Sequence, residues 1–214
     1  MQPTVVHTST IDVVNALAQL GLTPDILIES IRRGEIGRDS CTKNDPPNAP
    51  GFYAWAGTVR ALRDILMPQK WMRNDEDCYP RVINADKTIA ITVVTGDDGT
   101  GKSSANPKTK YPKGAATQAA ISCNQQSLRF EEFPPIEDEA DETAETWITW
   151  MLLRKRTGDS VFAELSLPSS MTKDGQVESW QTRIILDPIL IDPNIEVEDD
   201  SSEPPIDVPV RRRS

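Results

Sequence analysis

Histidine is almost absent from this chain of 214 residues, since His7 is the only one. A single histidine close to the amino terminus excludes Ser-His-Asp catalytic triads and histidine-rich metal sites. The three cysteines, Cys41, Cys78 and Cys123, are an odd number at wide spacings. They fit neither a complete disulfide framework nor a C-x-x-C metal site, so we expect reduced thiols and no bound metal or cofactor.

Long apolar runs are also missing. No segment approaches the roughly 18 consecutive apolar residues that a membrane helix needs, and the amino terminus lacks the basic and then apolar pattern of a signal peptide. Apolar residues make up 37% of the sequence and 17 residues are proline, so we expect one folded domain, residues 1–190, with irregular segments. These features predict a cytoplasmic protein that does not enter a membrane.

The net charge of −10 is concentrated in two segments. Eight acidic residues lie in residues 131–145 and seven in residues 192–207, whereas acids and bases nearly balance in the rest of the chain. We interpret the first segment as an acidic linker within the domain and residues 191–214 as a disordered tail. An acidic total therefore does not exclude binding to nucleic acid.

We expect residues 1–8 to fray and two helices to follow them. The first helix ends at a glycine, and Thr23 caps the second helix with Pro24 in its first turn. These two helices form either an ordinary hairpin or a DNA-reading helix-turn-helix with Arg32 and Arg33 as its cations. Two acidic residues early in the second helix favour the hairpin, because a recognition helix meets bases and phosphates there.

Runs rich in β-branched residues predict an antiparallel sheet in the remainder of the chain. One hairpin covers residues 79–95, and further strands fall within residues 146–187, separated by glycine-containing turns. A third helix from residue 51 to residue 66 carries a broad apolar stripe that can cover the sheet. The predicted fold is therefore α+β, with a helical hairpin and a third helix packed on an antiparallel sheet.

The segment from Gly96 to Ser103 matches the phosphate-loop pattern G-x-x-x-x-G-K-[ST]. In such loops a helix begins directly after the lysine, so that its amino end meets the phosphates. Pro107 and Pro112 interrupt the residues that would form this helix, and the preceding strand is predicted to belong to a hairpin. We therefore favour an exposed loop here and retain nucleotide hydrolysis as a less favoured alternative.

The same loop is the most basic part of the domain. It contains four lysines and a tyrosine, and flexible lysines beside an aromatic ring can contact phosphates and stack on a base. A solvated basic loop explains the same residues without a ligand. The candidate nucleic-acid-binding residues are Arg32, Arg33, Lys102, Lys108, Lys110, Tyr111 and Lys113.

A second candidate contact lies at residues 125–130. The spacing of Gln125, Leu128 and Phe130 is similar to that of the short peptides with which bacterial replication and repair proteins bind the DNA sliding clamp. In these peptides two apolar side chains fill a pocket and the glutamine bonds to its rim. Gln126 departs from the apolar residue preferred at its position. The alternative is that Leu128 and Phe130 pin the linker to the core.

Several stretches of the chain together resemble a family of bacterial proteins of unknown function that is associated with phage and mobile elements. These stretches are Asn44 to Pro47, Gly51 to Leu66, Thr95 to Asp97 with Pro112 to Gly114, and Ala163 to Pro168. The resemblance extends over residues 10–190 and implies a bacterial or phage accessory protein. It implies no activity, cofactor or site residue.

We therefore expect a non-enzymatic binding protein that takes part in bacterial or phage DNA transactions and contacts nucleic acid through the lysine-rich loop. The alternative partner is another protein, with the sliding clamp as the candidate, bound through residues 125–130. The sequence leaves the oligomeric state and the role of the acidic linker open.

Overall fold

The computed structural model of the protein describes residues 3–132 and 147–191, and for residues 126–132 it describes the backbone only. The helices are α1 (Thr10–Gln19), α2 (Pro24–Asp39), α3 (Ala49–Leu66) and α4 (Ala115–Glu132). The strands are β1 (Val5–His7), β2 (Met72–Asn74), β3 (Arg81–Ile83), β4 (Ile89–Thr95), β5 (Ile148–Thr157), β6 (Ser160–Met171), β7 (Val177–Ile185) and β8 (Ile189–Leu190). Two short 3-10 helices cover Met67–Gln69 and Glu76–Cys78.

The first two helices begin where their capping residues predict. The Ser9 hydroxyl accepts a hydrogen bond from the backbone N–H of Asp12, and the Thr23 hydroxyl accepts one from the backbone N–H of Ile26. The axes of α1 and α2 differ in direction by 91°. The helices α1 and α2 therefore meet at about a right angle, and the helix that packs along the length of α2 is α3.

The packing of α2 on α3 depends on glycines at their contact. A Cβ atom at Gly34 would overlap the Thr58 hydroxyl and lie 2.5 Å from the carbonyl oxygen of Ala54. A Cβ atom at Gly57 would lie 3.0 Å from the Cα atom of Gly34. The two backbones therefore approach more closely than larger side chains would allow, and this contact fixes the position of α3 against α2.

The eight strands of the described residues form one sheet in the order β1-β7-β6-β5-β4-β3-β2, with β8 paired to β6. The α+β fold class is thereby confirmed. Among the described strands five pairs are antiparallel, including the predicted β3-β4 hairpin, whereas β4 with β5 and β1 with β7 are parallel. The sheet is thus mixed rather than purely antiparallel, because the chain crosses over through α4 between β4 and β5.

The segment Val5–His7 belongs to this sheet, so the prediction that residues 1–8 fray is wrong for the strand β1. Val5–His7 pairs in parallel with the segment from Thr182 to Ile184. The Thr4 hydroxyl also donates to the carbonyl of Trp180 over 2.7 Å. A strand of three residues is too short to show a sequence pattern, and its order comes from the hydrogen bonds of the neighbouring strand.

The sheet carries an apolar core on each face. Successive residues of β4 point to opposite faces, so Ile91 and Val93 belong to one core and Val94 belongs to the other. The first core also contains side chains of α1, α2 and α3, and the second contains Ile121 of α4 and Trp180 of β7. The domain therefore has three layers, with α1 to α3 on one face of the sheet and α4 on the other.

The loop of residues 96–114 covers the second face beside α4. Arg183 of β7 anchors this loop, because its guanidinium donates to the carbonyls of Ala105 at 2.6 Å and Lys102 at 3.0 Å. Glu164 of β6 accepts two bonds from the same guanidinium, at 2.6 and 3.1 Å, and both side chains are buried. Burial raises the pKa of Glu164, and Arg183 opposes that rise. A buried ion pair thus holds the loop in place.

The structure also bears on the apolar helices, the cysteines and the acidic segments that were considered from composition. Among the described residues no single helix is long and apolar enough to cross a membrane, and α1 with α2 meets that test only as a bent pair. The three cysteines are free. Of the predicted acidic linker, residues 131 and 132 end α4, and the rest lies outside the described residues, as does the tail from residue 192 onward.

Candidate nucleic-acid interface

A groove opens at the edge of the sheet where β4 and β5 end. These strands are parallel neighbours joined through α4, and Thr95 at the end of β4 pairs with Arg154. In α/β structures ligands bind beyond the carboxyl ends of parallel strands, where connecting loops and the amino ends of helices meet. The β4-α4-β5 unit reproduces this arrangement locally, although the sheet as a whole is mixed.

The groove has a volume of about 720 Å³ and lies between the amino end of α3, the ends of β4 and β5, and residues 110–113 of the loop. Ligand sites usually measure about 300–1,000 Å³, so this volume suits a ligand or a segment of a polymer. Its walls combine six cations with three aromatic rings, and we call it the cationic groove. These residues are Arg38, Lys110, Lys113, Arg154, Lys155 and Arg156, with Phe52, Trp55 and Tyr111.

Glu35 organises the arginines at one end of the cationic groove. It lies on α2, is fully buried, contacts Arg154 directly and accepts a bond from Arg156 at 2.9 Å. The guanidinium of Arg38 lies 3.9 Å from the same carboxylate. Burial, with Arg156 close by, lowers the pKa of Arg154 to about 10. Arg154 therefore remains protonated at neutral pH, where Glu35 matches its charge.

Two exposed carboxylates complete the ion pairing of the groove. Asp39 accepts from Arg156 over 2.7 Å, and a carboxylate oxygen of Asp98 lies 2.7 Å from the ammonium of Lys155. The hydrogen bond from Lys155 holds the pKa of Asp98 below its usual range. Against these two carboxylates and Glu35, the six cations of the groove leave an excess of three positive charges.

Lys110 and Lys113 supply most of this excess, because among the described residues neither forms an ion pair. The ammonium of Lys110 lies 5.1 Å from the ring centroid of Tyr111, which is a cation–π distance. Lys113 is half-buried, and burial lowers its pKa from the ordinary value. A bound phosphate would offset that penalty by stabilising the ammonium form, so Lys113 is a favourable contact for an anion.

Two of the three aromatic rings of the groove are exposed to solvent. Phe52 and Tyr111 are each more than half exposed. The indole N–H of Trp55 donates to the carbonyl of Val93 over 3.0 Å, which fixes that ring, and its centroid lies 5.8 Å from that of Phe52. Exposed aromatic faces beside cations can stack nucleobases while the cations neutralise the phosphates.

The amino end of α3 forms another wall of the cationic groove. Asn48 caps this helix without a side-chain hydrogen bond, and Asn48, Pro50 and Gly51 all line the groove. The first N–H groups of a helix lack intrahelical acceptors and carry a partial positive charge. In α3 the N–H of Ala49 donates to the carbonyl of Pro46 and Pro50 has no N–H, so the N–H of Gly51 is the group at this end that can face a ligand. The helix therefore adds to the positive potential of the basic side chains.

The phosphate-loop pattern of residues 96–103 does not have the geometry of a phosphate loop. Within the described residues the next helix after Lys102 is α4, which begins only at Ala115. The backbone carbonyl of Lys102 accepts a hydrogen bond from Arg183. The ammonium of Lys102 lies 5.9 Å from the ring centroid of Phe162. The preceding strand β4 is half of the predicted hairpin and is also a parallel neighbour of β5, so its place in the sheet does not by itself exclude a phosphate loop.

The lysine-rich loop contributes only part of the predicted site. Lys110, Tyr111 and Lys113 line the cationic groove. Lys102 and Lys108 are exposed on the same loop but lie outside the lining. Hydrogen bonds from distant residues of the sheet hold the loop and decide which of its side chains face the groove. Such bonds cannot be predicted from the sequence of the loop.

Arg32 and Arg33 of α2 also lie outside the lining, and Arg33 pairs with Glu29 at 2.8 Å. The cation that α2 does contribute is Arg38, near its carboxyl end. Sequence reasoning also missed Arg154-Lys155-Arg156, although three consecutive cations at the end of an apolar strand are a visible signal. Trp55 was assigned to the apolar stripe of the third helix, because helical periodicity cannot distinguish a core ring from one at the rim of a groove, and Phe52 was given no role.

The predicted partner peptide lies in α4. The side-chain amide of Gln125 donates to the carbonyl of Ser169 in β6 over 2.6 Å, so this glutamine joins α4 to the sheet. A clamp-binding peptide offers its glutamine to the partner, which would require this bond to be released. The side chains of Leu128 and Phe130 lie outside the described part of the chain.

The fold and the groove together define a three-layer α+β domain with a mixed sheet and a cationic, aromatic groove at the ends of its central parallel pair. Comparison of the chain with protein-family models, with curated proteins and with solved structures gives no match. The chemistry of the groove is therefore the basis on which a function is inferred.

Proposed function

We propose that this protein binds nucleic acid in the cationic groove, as a non-enzymatic accessory factor in bacterial or phage DNA transactions. The observation that carries the proposal is the presence, in one groove, of unpaired lysines and exposed aromatic rings. Phosphates bind to cations and bases stack on aromatic side chains. A polymer that carries both groups at regular spacing therefore fits the groove better than a simple anion does.

The ion pairs with Glu35 leave cationic surface available to such a ligand. Arg154 has only 5% of its side chain exposed, whereas Arg38 has 36% and Arg156 has 20%. A guanidinium carries five N–H donors. Arg156 uses Nη1 for Glu35 and Asp39 and Nε for the carbonyl of Gly158, so its Nη2 donors remain for a phosphate. Arg154 thus supports the wall of the groove, and the other two arginines can reach a ligand.

The charge of the groove predicts how binding depends on salt. If three phosphates are neutralised, the slope of log K against log salt is about −2 on a single strand and about −3 on a duplex. Raising the salt concentration from about 50 to about 200 mM should then weaken binding roughly twentyfold to fortyfold. A ligand bound through apolar contacts alone would show little of this dependence.

The test compares two double variants with the same change in net charge. Lys110→Gln with Lys113→Gln removes two cations from the groove, and Lys102→Gln with Lys108→Gln removes two from the same loop outside it. Fluorescence anisotropy with labelled single-stranded and duplex oligonucleotides gives the affinity and the salt slope. The first variant should lose at least about tenfold in affinity, and its salt slope should fall in magnitude by about 1.4 or more.

The second variant should retain nearly all of the affinity, because its lysines do not line the groove. An equal loss in both variants would mean that the net charge of the loop, and not the groove, determines binding. No binding by the wild-type protein to any of these nucleic acids at about 50 mM salt would refute the proposed function.

A further inference from the structure

A second pocket adjoins the cationic groove on the other side of Trp55. It has a volume of about 630 Å³, and Trp55, Val93, Val94 and Lys113 line both cavities. Its remaining walls come from the amino end of α4 and from the segment that leads into β3. The two cavities are therefore neighbours that share one wall.

The two cavities differ in charge. The cationic groove contains six cations, whereas the second pocket contains one cation, Lys113, and one carboxylate, Asp77. Its other walls are uncharged and include the Tyr79 ring and the methyl groups of Ala116 and Ala119. The one cation and the one carboxylate balance each other, so the second pocket lacks the excess of positive charge that a phosphate requires, and it suits a neutral planar group better.

Trp55 lies between the cationic groove and the second pocket. Its ring lines both cavities and is held in place by the hydrogen bond from its indole N–H to the carbonyl of Val93 at 3.0 Å. A fixed aromatic ring next to cations provides a stacking surface for a base whose phosphate is bound alongside. A ligand that extends from the groove into the pocket would therefore contact this ring.

We propose that the ligand is single-stranded nucleic acid, with its backbone in the cationic groove and one unpaired base in the second pocket. This inference rests on the proposed function, because it specifies the form of nucleic acid that binds at the same site. An unpaired base exposes its faces and its hydrogen-bonding edge, whereas the bases of a duplex are paired and stacked inside the helix. A duplex can present phosphates to the groove but cannot place a paired base in the pocket.

Single-stranded DNA and single-stranded RNA share this chemistry, so the experiment includes both. Anisotropy titrations of the full chain would use labelled oligo-dT and oligo-U of about twelve nucleotides and the oligo-dT·oligo-dA duplex of the same length. The wild-type protein should bind at least one of the single strands at least about fivefold more tightly than the duplex. The ratio of the two single-strand affinities then shows whether DNA or RNA is preferred.

A variant that fills the second pocket tests the position of the base. Ala119 is exposed on α4 and lines the pocket, whereas its neighbour Gln118 is exposed and does not. Ala119→Phe should weaken single-strand binding at least about fivefold and leave duplex binding unchanged. Gln118→Phe adds the same ring to the same helix and should change neither affinity by more than about twofold. If circular dichroism shows that Ala119→Phe does not fold, Ala115→Phe fills the same pocket from another exposed position.

The outcomes separate the two proposals. Equal affinity for single strand and duplex, or equal effects of Ala119→Phe and Gln118→Phe, would overturn the assignment to single strands and leave the cationic groove as a general nucleic-acid site. Failure of the wild-type protein to bind all three oligonucleotides would instead refute the proposed function, and the further inference with it.

Discussion

Replacing Glu35 with glutamine should destabilise the protein far more than the same substitution at an exposed position. Glu35 is fully buried and contacts Arg154, which is itself almost inaccessible to solvent. Glutamine keeps the size of the side chain but removes the charge that matches Arg154. The variant therefore retains a cation in a buried site without its counter-charge, and such an arrangement is costly.

The size of the effect follows from the burial of the pair. Removing one partner of a buried ion pair costs about 3–5 kcal/mol, because the remaining charge is neither hydrated nor compensated. Arg156 still has Asp39 at 2.7 Å, so its contribution to the loss is small. The free energy of unfolding should fall by about 3–5 kcal/mol. The melting temperature should fall by about 6–20 °C, since about 1 kcal/mol shifts it by about 2–4 °C in a domain of this size.

Glu29→Gln is the matched control on the same helix. Glu29 pairs with Arg33 at 2.8 Å, but both side chains are about half exposed. An exposed pair at i and i+4 contributes only about 0.3–0.5 kcal/mol, because water and salt screen it. Urea denaturation followed by circular dichroism would give both free energies on the same scale.

A loss below about 1 kcal/mol for Glu35→Gln, or a loss equal to that of the control, would refute the reasoning from burial. If Glu35→Gln does not fold, the double variant Glu35→Met with Arg154→Met tests the same argument. Apolar replacement of both partners of a buried pair is often neutral or stabilising, so this variant should fold.

Two further predictions concern the helix contact and the groove. Gly34→Ala should lower the free energy of unfolding by about 1–3 kcal/mol, because the added Cβ atom would overlap Thr58. Gly51→Ala is the control: its added Cβ atom would meet no other atom within 4 Å, so this variant should be neutral or stabilised by up to about 1 kcal/mol. Equal losses in urea denaturation would contradict this. Burial lowers the pKa of Lys113 below its ordinary 10.5. The ammonium that binds phosphate is therefore lost as the pH rises through that lowered pKa, and the affinity for nucleic acid should decline over the same range. The guanidinium of the Lys113→Arg variant has a higher ordinary pKa than an ammonium, so the affinity of this variant should decline less in anisotropy titrations from about pH 7 to about pH 10. An identical decline in the variant and the wild-type protein would count against the role of Lys113.

Local signals predicted much of the fold. Thr23 and Pro24 mark the start of α2, and the apolar runs on either side of the turn before Thr88 mark the β3-β4 hairpin. These signals work because a cap or a tight turn is formed by residues that are neighbours in the chain. The parallel pairing of β4 with β5 was missed, since the connection between them covers residues 96–147 and no local signal in the sequence pairs strands so far apart.

The candidate site was predicted only where its residues are contiguous. Lys110, Tyr111 and Lys113 form a short basic and aromatic run, so composition alone indicated them. The arginines of the groove come from α2 and β5, and its other rings come from α3. Their charges are also organised by Glu35, whose burial could not be seen in the sequence.

The sequence by itself determined the α+β class, the starts of α1 and α2 and the presence of a basic loop, because these depend on periodicity, capping and composition within short segments. The tertiary structure decided that the carboxyl ends of β4 and β5 lie side by side, and that the amino end of α3 and Lys113 meet them there. Such proximity follows from the packing of distant segments on the two faces of one sheet. Only that packing combines the lysines, the arginines and the aromatic rings into one groove.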